Sequence, residues 1–380
     1  MPTQKYSDPI DVDPDFYTLE KSYDNGDWQS DTTSIATEIA KGRMENGRRY
    51  QALKSEDYWS PSDEQQFEAY ETGHLVALVL DYHQPNLLHH APIGDSPKQI
   101  LDVGTGKGSW AIDAADMYPT ATVHGVDLFP PPVTWMPPNC VFEVDDLLRP
   151  WTWTEKFDFV YMRHMLGSFD VEGWETLYKR CYDNIQPGGW IEELEFDIEV
   201  RTDDNSLPKD SILGQWAEVF GGASERAGRS LMVQDKMRGR IEKAGFIDVH
   251  EHVYKVPIGP WPKDKVLKDA GNLNLAHWLT GMEGYGMWLL TKFGAPHPWT
   301  KEEVQVFLAK ARVELKNPHI HGYEIGRRVW ARKPFDHELK KNPAEKESGK
   351  ETTEKETAEK ETVVDTVERD VAVKAEPASP

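Results

Sequence analysis

The sequence is poor in cysteine, in net positive charge and in long apolar runs. Its two cysteines, Cys140 and Cys181, cannot build a disulfide framework, and neither belongs to a Cys-x-x-Cys pair of the kind that binds zinc. No stretch approaches the roughly 18 apolar residues of a spanning helix, and residues 1–10 have no apolar signal core. The formal net charge is −22, whereas surfaces that bind nucleic acid are basic. We therefore expect an acidic protein of the cytoplasm, the nucleus or both, with no membrane span and no direct contact with nucleic acid.

Both ends of the chain are polar and show neither a helical nor a strand period. Aspartate and proline interrupt residues 1–40, and residues 336–380 are rich in Glu, Lys and Thr. Such segments bury too little apolar surface to offset the entropy lost on ordering. We predict a mostly disordered N-terminal arm over residues 1–40 and a disordered tail over residues 336–380. A solvated helix supported by Glu–Lys pairs is the alternative for the tail.

Helical signals follow the N-terminal arm, and we predict a helical N-terminal extension over residues 41–98. Ser62 is suited to cap a helix, and Phe67, Tyr70 and His74 begin an apolar stripe at three-to-four spacing. Pro85 is expected to end this helix.

Short apolar runs alternate with amphipathic segments over residues 99–335. We predict strands over residues 100–103, 122–126, 141–144, 157–162, 190–196, 247–254 and 323–332, and helices over residues 108–118, 171–185 and 235–244. This alternation predicts an α/β fold with a doubly wound, largely parallel sheet, which binds its ligand at the carboxyl ends of the first strands.

The segment from Asp102 to Gly108 reads Asp-Val-Gly-Thr-Gly-Lys-Gly and joins the first predicted strand of this sheet to a helix. Its glycines permit a tight turn and a close approach of ligand to backbone. A dinucleotide fingerprint, G-x-G-x-x-G, would need glycine where Ser109 stands. The carboxylate of Asp102 would repel a pyrophosphate, but it suits a cationic amino acid such as the methionine part of S-adenosylmethionine. The pattern therefore favours S-adenosylmethionine over NAD as the cofactor.

Further acids stand at the ends of the next two predicted strands. Asp127 lies 25 residues after Asp102, where a carboxylate can accept both ribose hydroxyls, and Asp145 and Asp146 are placed to meet the adenine amino group. Arg163, after the fourth strand, would either neutralise the cofactor carboxylate or pair with an acid. The predicted cofactor-binding residues are Asp102, Gly104, Thr105, Gly106, Gly108, Asp127, Leu128, Asp145, Asp146 and Arg163.

Several strings resemble the class I S-adenosylmethionine-dependent methyltransferases, and more narrowly the fungal group of LaeA-type regulators of secondary metabolism with their velvet-complex relatives. These strings lie at residues 45–50, 61–65, 102–106, 110–113, 163–168 and 186–192. The resemblance runs from about residue 45 to residue 334. It implies a Rossmann-like seven-stranded sheet with a helical N-terminal extension and a helical lid or insertion over residues 256–317, before the last strand.

The resemblance also implies a function. We expect methyl transfer from S-adenosylmethionine by direct displacement, to a protein or a small molecule, in fungal secondary metabolism or development. The alternatives are a tailoring O- or N-methyltransferase of a natural-product pathway and a non-catalytic scaffold. The implied partners are velvet-type regulatory proteins or a related methyltransferase subunit.

Two residues near the fourth strand are candidates for catalysis. Direct displacement needs a general base only if the acceptor is protonated, and His164 and Tyr161 are placed for that role. His164 has an alternative role in orienting backbone around the cofactor. Lys107 would repel a sulfonium if it turned inward, so we expect it to face solvent or to pair with a carboxylate.

Three further groups of residues have open roles. Among Glu192, Glu193 and Glu195 we expect at least one to face the mouth of the pocket, with a structural ion pair as the favoured role. The tryptophans of residues 256–317 favour a core over a substrate pocket, and the glycines of residues 281–286 suggest a hinge. We interpret the histidines at 89, 90, 319 and 321 as surface residues that bind no metal, since they lack ligand spacing.

Overall fold

The computed structural model describes residues 8–13, 41–53 and 58–339. The chain divides into two compact units, Met1–Lys333 and Pro334–Pro380. In the second unit the structure describes one short helix, Asp336–Leu339. The rest of the predicted tail, and residues 1–7 and 14–40 of the predicted arm, lie outside the described residues.

The described strands are β1 Arg43–Glu45 and β2 Arg48–Tyr50, which form a separate pair, and β3 Gln99–Val103, β4 Thr122–Asp127, β5 Cys140–Val144, β6 Phe157–Arg163, β7 Ile185–Phe196, β8 Ile247–Pro257 and β9 Tyr323–Arg332. Within the described residues, the last seven form one sheet in the order β5-β4-β3-β6-β7-β9-β8. Neighbours from β5 to β7 are parallel, whereas β9 is antiparallel to both β7 and β8. The predicted doubly wound, largely parallel seven-stranded sheet is thereby confirmed.

Helices cover both faces of the sheet, and separate clusters of buried side chains form its two cores. The helix between Ile212 and Arg226 is one that the sequence analysis missed. The described helices are α1 Glu64–Leu80, α2 Ser109–Met117, α3 Val171–Asn184, α4 Ile212–Arg226, α5 Met237–Ala244, α6 Lys265–Phe293, α7 Lys301–Leu315 and α8 Asp336–Leu339.

The N-terminal extension is not wholly helical, because it begins with a hairpin. Asn46 and Gly47 join β1 to β2 with φ of 53° and 84°, the left-handed pair that a two-residue hairpin turn requires. Arg48 then donates two hydrogen bonds, of 2.6 and 2.7 Å, to Asp63. Asp63, rather than the predicted Ser62, caps α1 by accepting from the backbone N–H of Gln66. The hairpin is thus tied to the start of α1.

The predicted glycine hinge at residues 281–286 is wrong, because these residues lie inside the continuous helix α6. A methyl group added at Gly284 would stand 2.1 Å from the side-chain oxygen of Gln66, and one at Gly281 would stand 3.3 Å from Ala69. Both neighbours belong to α1. The glycines therefore let α1 and α6 pack closely. On the same helix, Trp278 and Trp288 are buried, as a core role predicts.

One part of the predicted disordered arm is ordered in the structure. Ile10 is buried against Trp261, and Val12 forms a β-bridge with Pro262. The backbone N–H of Asp13 donates to the carbonyl of Trp261 at 2.8 Å. These contacts bind residues 8–13 to the segment between β8 and α6.

A buried ionic cluster joins three distant parts of the chain. Arg328 on β9 pairs with Glu192 on β7 and, at 2.5 Å, with Asp81 at the C-terminus of α1. The other oxygen of Glu192 accepts from the backbone N–H groups of His90 and Ala91, at 2.8 and 2.7 Å. His90 itself bonds to Asp81 at 3.0 Å.

The expectation that the four histidines lie at the surface is wrong for three of them. His89 and His321 are buried, His90 is half-buried and bonded to Asp81, and His319 alone among these four is exposed. No cluster of three or more potential metal ligands occurs in the part of the chain that the structure describes. None of the helices described there is long and apolar enough to cross a bilayer.

Candidate functional site

The glycine loop adopts a conformation that only glycine accommodates easily. Gly104, Gly106 and Gly108 have φ of 68°, 57° and 88°. A methyl group at Gly104 would stand 2.3 Å from the sulfur of Met165, and one at Gly108 would stand 2.6 Å from the ring of Phe142. Gly104 and Gly106 face a cleft, whereas Gly108 starts α2 and packs beneath Phe142, outside the residues that line the cleft.

This cleft, which we call the strand-end cleft, lies at the carboxyl ends of β3, β4, β5 and β6. It encloses about 1160 Å³ of empty space, open solvent included. All the predicted cofactor-binding residues except Gly108 line it, as do His164 and Tyr161. It is lined by Asp102, Gly104, Thr105, Gly106, Asp127, Leu128, Asp145, Asp146, Tyr161, Arg163 and His164 from the predicted set.

Asp102 is buried at the base of the cleft. The hydroxyl of Thr105 donates to its carboxylate at 2.6 Å. Burial raises the pKa of Asp102 to about 7, with nearby Asp127 adding to the shift while Thr105 and Arg163 oppose it. A cation bound above this carboxylate would favour its charged form.

Asp127 closes the loop from the end of β4. Its carboxylate accepts from the backbone N–H groups of Gly106 and Leu128, at 2.8 and 2.7 Å. Burial raises the pKa of Asp127, and these hydrogen bonds oppose that shift. At the end of β5, Asp145 is exposed and Asp146 is buried, so the two neighbours present different environments to the same cleft.

Arg163 is held by a chain of hydrogen bonds that the sequence analysis did not predict. Its guanidinium donates to Nδ1 of His74 at 3.1 Å, and Nε2 of His74 bonds to Asp113 at 2.8 Å. Because a guanidinium only donates, Nδ1 must accept and Nε2 must carry the proton. Burial lowers the pKa of His74, which fits this neutral tautomer. Pairing of Arg163 with an acid was one of the two predicted roles, and in the structure its guanidinium contacts His74 instead.

His164 stands at the far wall of the cleft in a strained conformation, with φ of 53°. Its Nε2 is buried and has no hydrogen-bond partner in the structure. The ring stacks on His277 at 5.6 Å and meets the edge of Phe196 at 5.0 Å. Burial lowers the pKa of His164 well below its usual range, assisted by His277 and Arg163, so the ring is neutral at neutral pH.

Tyr161 is also buried, with its ring stacked on Trp110 at 4.0 Å and its hydroxyl without a hydrogen-bond partner in the structure. Burial raises its pKa, so the phenol keeps its proton at neutral pH. Tyr161 is therefore suited to donate a hydrogen bond and unsuited to act as a base.

A second cavity lies behind His164. This aromatic cavity encloses about 490 Å³ of empty space, open solvent included, and His164 alone among the described residues lines both it and the strand-end cleft. It is lined by the aromatic residues Phe196, Trp216, Phe220, Trp278 and Tyr285, by the apolar residues Leu166, Ile198, Leu231 and Met282, and by the polar residues His164, Asp197, His277 and Glu324. Trp278 thus serves both the core and a cavity wall.

The three glutamates of β7 do not reach the strand-end cleft, so the prediction that one faces its mouth is wrong. Glu192 forms the ion pair with Arg328, as the favoured role predicted. Glu193 accepts from the hydroxyl of Tyr178. Glu195 accepts from the backbone N–H of Met165 at 2.6 Å and so fixes the loop after His164.

Lys107 pairs with a carboxylate as expected, because its ammonium lies 2.8 Å from Glu71.

The sequence analysis missed one wall of the strand-end cleft, which is formed by residues before and within α1. This wall includes Tyr58, Ser60 and Tyr70, and Arg229 lines the cleft from beyond α4. The apolar stripe of α1 was visible in the sequence, but nothing there indicated that Tyr70 would lie over Gly106, where an added methyl group would stand 3.2 Å from its ring.

The residues present fit S-adenosylmethionine better than a dinucleotide. Four carboxylates, those of Asp102, Asp127, Asp145 and Asp146, line one cleft and would repel a pyrophosphate. The same set suits a sulfonium and an α-amino group. Gly104 and Gly106 have no side chain, which leaves room for a ligand beside the backbone. The buried hydroxyl of Tyr161 has no hydrogen-bond partner in the structure and is free to donate to a ligand.

Comparisons with known proteins agree with this assignment. A family model described as a methyltransferase domain matches residues 78–251. Methyltransferase pytC of Aspergillus terreus is 32% identical over 328 residues, which cover 86% of this chain and 96% of pytC. Secondary metabolism regulator LAE1 of Cochliobolus heterostrophus is 38% identical over 302 residues, 77% of this chain and 94% of LAE1. Protein-methionine methyltransferase laeA of Emericella nidulans is 32% identical over 297 residues, 77% of this chain and 76% of laeA.

Proposed function

This chain belongs to the LaeA-like group of fungal S-adenosylmethionine-dependent methyltransferases, and from that membership we propose that its strand-end cleft binds the cofactor and presents the methyl group towards His164. The observation that carries the proposal is the convergence of Asp102, the glycine loop and Asp127 on one cleft. The enzyme acts in secondary metabolism, a role supported by relatives named as secondary metabolism regulators.

We propose a role for each predicted site residue from its position in or beside the cleft. Asp102 would hold the positive part of the cofactor, Asp127 and Leu128 would hold the ribose, and Asp145 and Asp146 would hold the adenine. Arg163, oriented by His74, would neutralise the cofactor carboxylate. Gly104, Thr105 and Gly106 supply backbone and hydroxyl contacts, and Gly108 sets the turn from which α2 begins.

S-adenosylmethionine supplies an activated methyl group on a cationic sulfur, and its leaving group is neutral. The protein therefore has to align the acceptor and to exclude water. Neutral His164 can accept a proton from an acceptor that carries one, while Tyr161 donates a hydrogen bond through its unpartnered hydroxyl. One relative is named a protein-methionine methyltransferase, and we include a thioether, which needs no base, among the candidate acceptors.

Calorimetric titration with S-adenosylmethionine tests the cofactor site. We expect Asp102→Ala and Asp127→Ala each to weaken binding at least tenfold, since each removes a charged contact worth roughly 1.5–3 kcal/mol. Asp183→Ala is the matched control, because this carboxylate is paired with Lys179 on the exposed face of α3. Unchanged affinity in both cleft variants would contradict the proposed site.

The regulatory role is a second candidate, favoured by the names of relatives such as LAE1. We propose velvet-type regulatory proteins, or a related methyltransferase subunit, as partners, and the cytoplasm and nucleus as sites of action. Affinity purification from the native host and fluorescence microscopy test these points. If Asp127→Ala abolishes cofactor binding but leaves the regulatory phenotype intact, the chain acts as a scaffold; if the phenotype is lost, catalysis is required.

A further inference from the structure

The cationic side chains that line the strand-end cleft differ in their partners. Among the described residues that line it, Lys107, Arg163 and Arg229 carry a positive charge. Lys107 pairs with Glu71 at 2.8 Å. Arg163 is held by His74 and, in the proposed function, would neutralise the cofactor carboxylate. Arg229 forms no ion pair with any residue that the structure describes, so its charge has no carboxylate partner there.

The C-terminus of α4 fixes the position of Arg229. Gly228 has φ of 70°, the left-handed conformation that glycine accommodates easily. The backbone N–H of Gly228 donates to the carbonyl of Glu225 at 3.0 Å, and that of Arg229 donates to the carbonyl of Ser224, also at 3.0 Å. These two bonds form a Schellman motif, which ends the helix. Arg229 therefore begins the chain that leaves α4, in a conformation set by its neighbours.

The side chain of Arg229 reaches from this turn to the loop after β6. The two segments are joined at the backbone, where the N–H of Gly167 donates to the carbonyl of Ser230 at 3.1 Å. Nη1 of Arg229 donates to the carbonyl of Ser168. Its Nε and Nη2 donate to no residue that the structure describes, and the side chain is half-buried. A peptide carbonyl is uncharged, so Ser168 orients the guanidinium without neutralising it.

We propose that Arg229 binds a carboxylate of the methyl acceptor, and that this acceptor is therefore a small organic acid. A guanidinium keeps its charge at any ordinary pH, and its planar fork of N–H groups matches the two oxygens of a carboxylate. The inference rests on the proposed function of the strand-end cleft. The group that receives the methyl is a second nucleophile on the same molecule, because Arg229 engages the carboxylate oxygens.

The charges of the cleft favour Arg229 as the place for an acidic group. Four aspartates line the cleft at the ends of β3, β4 and β5, and they would repel an acid placed among them. Arg163 is taken by the cofactor carboxylate in the proposed function. Arg229 is then the described cation of the cleft at which an acid gains a partner. The rings of Tyr58 and Tyr70 line the same cleft and offer apolar surface to the rest of the acceptor.

Calorimetry on the full chain, saturated with S-adenosylhomocysteine, tests the acceptor site with defined probes. The probes are benzoate, 4-hydroxybenzoate and 4-hydroxyphenylacetate. Each is compared with its primary amide, which has nearly the same shape and no charge. We expect the acids to bind roughly 10- to 100-fold more tightly than their amides, because only the acids form charge-assisted hydrogen bonds with Arg229.

Three variants show whether the preference for acids depends on Arg229. Arg229→Gln keeps an N–H donor for the carbonyl of Ser168 but removes the charge, so it should abolish the preference. Arg229→Lys keeps the charge without the fork and should retain a smaller preference. Arg226→Gln is the matched control, because Arg226 lies at the same end of α4 and donates to the carbonyl of Phe293 at 2.7 Å, outside the cleft. Thermal unfolding shows that each variant is folded.

Titration with S-adenosylmethionine and with decarboxylated S-adenosylmethionine shows whether Arg229 binds the cofactor carboxylate instead. We expect Arg229→Gln to change the affinity for either molecule by less than about threefold, because neither contacts Arg229. Weaker binding of S-adenosylmethionine alone in this variant would overturn the inference. So would the absence of any preference for acids in the wild-type protein, or a preference that Arg229→Gln retains in full. Unchanged cofactor affinity in Asp102→Ala and Asp127→Ala would instead contradict the proposed function, and the comparison of acids with amides is measured independently of it.

Discussion

Removal of the His74 imidazole should weaken cofactor binding without removing any group that touches the cofactor. His74 accepts from Arg163 at 3.1 Å and bonds to Asp113 at 2.8 Å. In His74→Ala the guanidinium of Arg163 keeps its charge but loses its orientation. Hydrogen bonds to charged groups contribute roughly 1.5–3 kcal/mol, and since only orientation is lost we expect about 1–2 kcal/mol, or 5- to 30-fold in the dissociation constant.

The assay is titration calorimetry with S-adenosylmethionine, with circular dichroism to show that each variant is folded. Asp113→Asn keeps a hydrogen-bond acceptor for His74, so its effect should be smaller than that of His74→Ala. His124→Ala is the matched control, because His124 bonds to Glu143 at 2.8 Å on β4 and β5 but lies outside the cleft. A folded His74→Ala variant with wild-type affinity would refute the positioning role.

Three further predictions concern packing, pH and the loop. Gly271→Ala should lower the free energy of unfolding by about 1–3 kcal/mol, because the added methyl group would stand 2.1 Å from the carbonyl oxygen of Gly259. Gly239→Ala should instead raise it by roughly 0.5–1 kcal/mol, because the space around Gly239 on α5 is open. Thermal unfolding of both variants measures the two effects. Burial in the folded state raises the pKa of Glu324 to about 8, so the folded protein binds a proton that the unfolded chain releases. Stability should therefore fall as the pH rises from the ordinary glutamate pKa towards 8. Glu324→Gln should flatten that decline, and an unchanged slope in this variant would contradict the raised pKa of Glu324. Lys107→Ala removes a half-exposed ion pair and should change cofactor affinity by less than threefold in calorimetry; a large gain would mean that the ammonium faces the sulfonium.

The sheet was predictable because its signals are local. Strands such as β3 and β6 contain short apolar runs, Ile100-Leu101 and Phe159-Val160, and the glycine loop indicated where a ligand would bind. The hairpin was missed although Asn46 and Gly47 are a strong turn signal, because the strands beside them have only three residues each. The glycines of α6 were misinterpreted because their effect depends on α1, which is distant in sequence.

The residues of the candidate site also fall into a predictable group and a group that the sequence did not reveal. Asp102 and Asp127 were predictable from strand ends, since parallel strands bring their carboxyl ends to one edge. His74 and Tyr70 were not, because their role depends on how α1 lies across the sheet. The neutrality of His164 and Glu324 results from burial, which the sequence does not specify residue by residue.

The buried ionic cluster around Arg328 limits how far the protein can be truncated from its C-terminus. The family model ends at residue 251, yet Asp81 and Glu192 lie within its bounds and have their cationic partner on β9. A fragment that stops before β9 would bury two carboxylates without a counter-ion, at a cost of several kcal/mol. The smallest autonomous unit therefore has to extend through β9, and fragments for expression or crystallisation should be designed to include it.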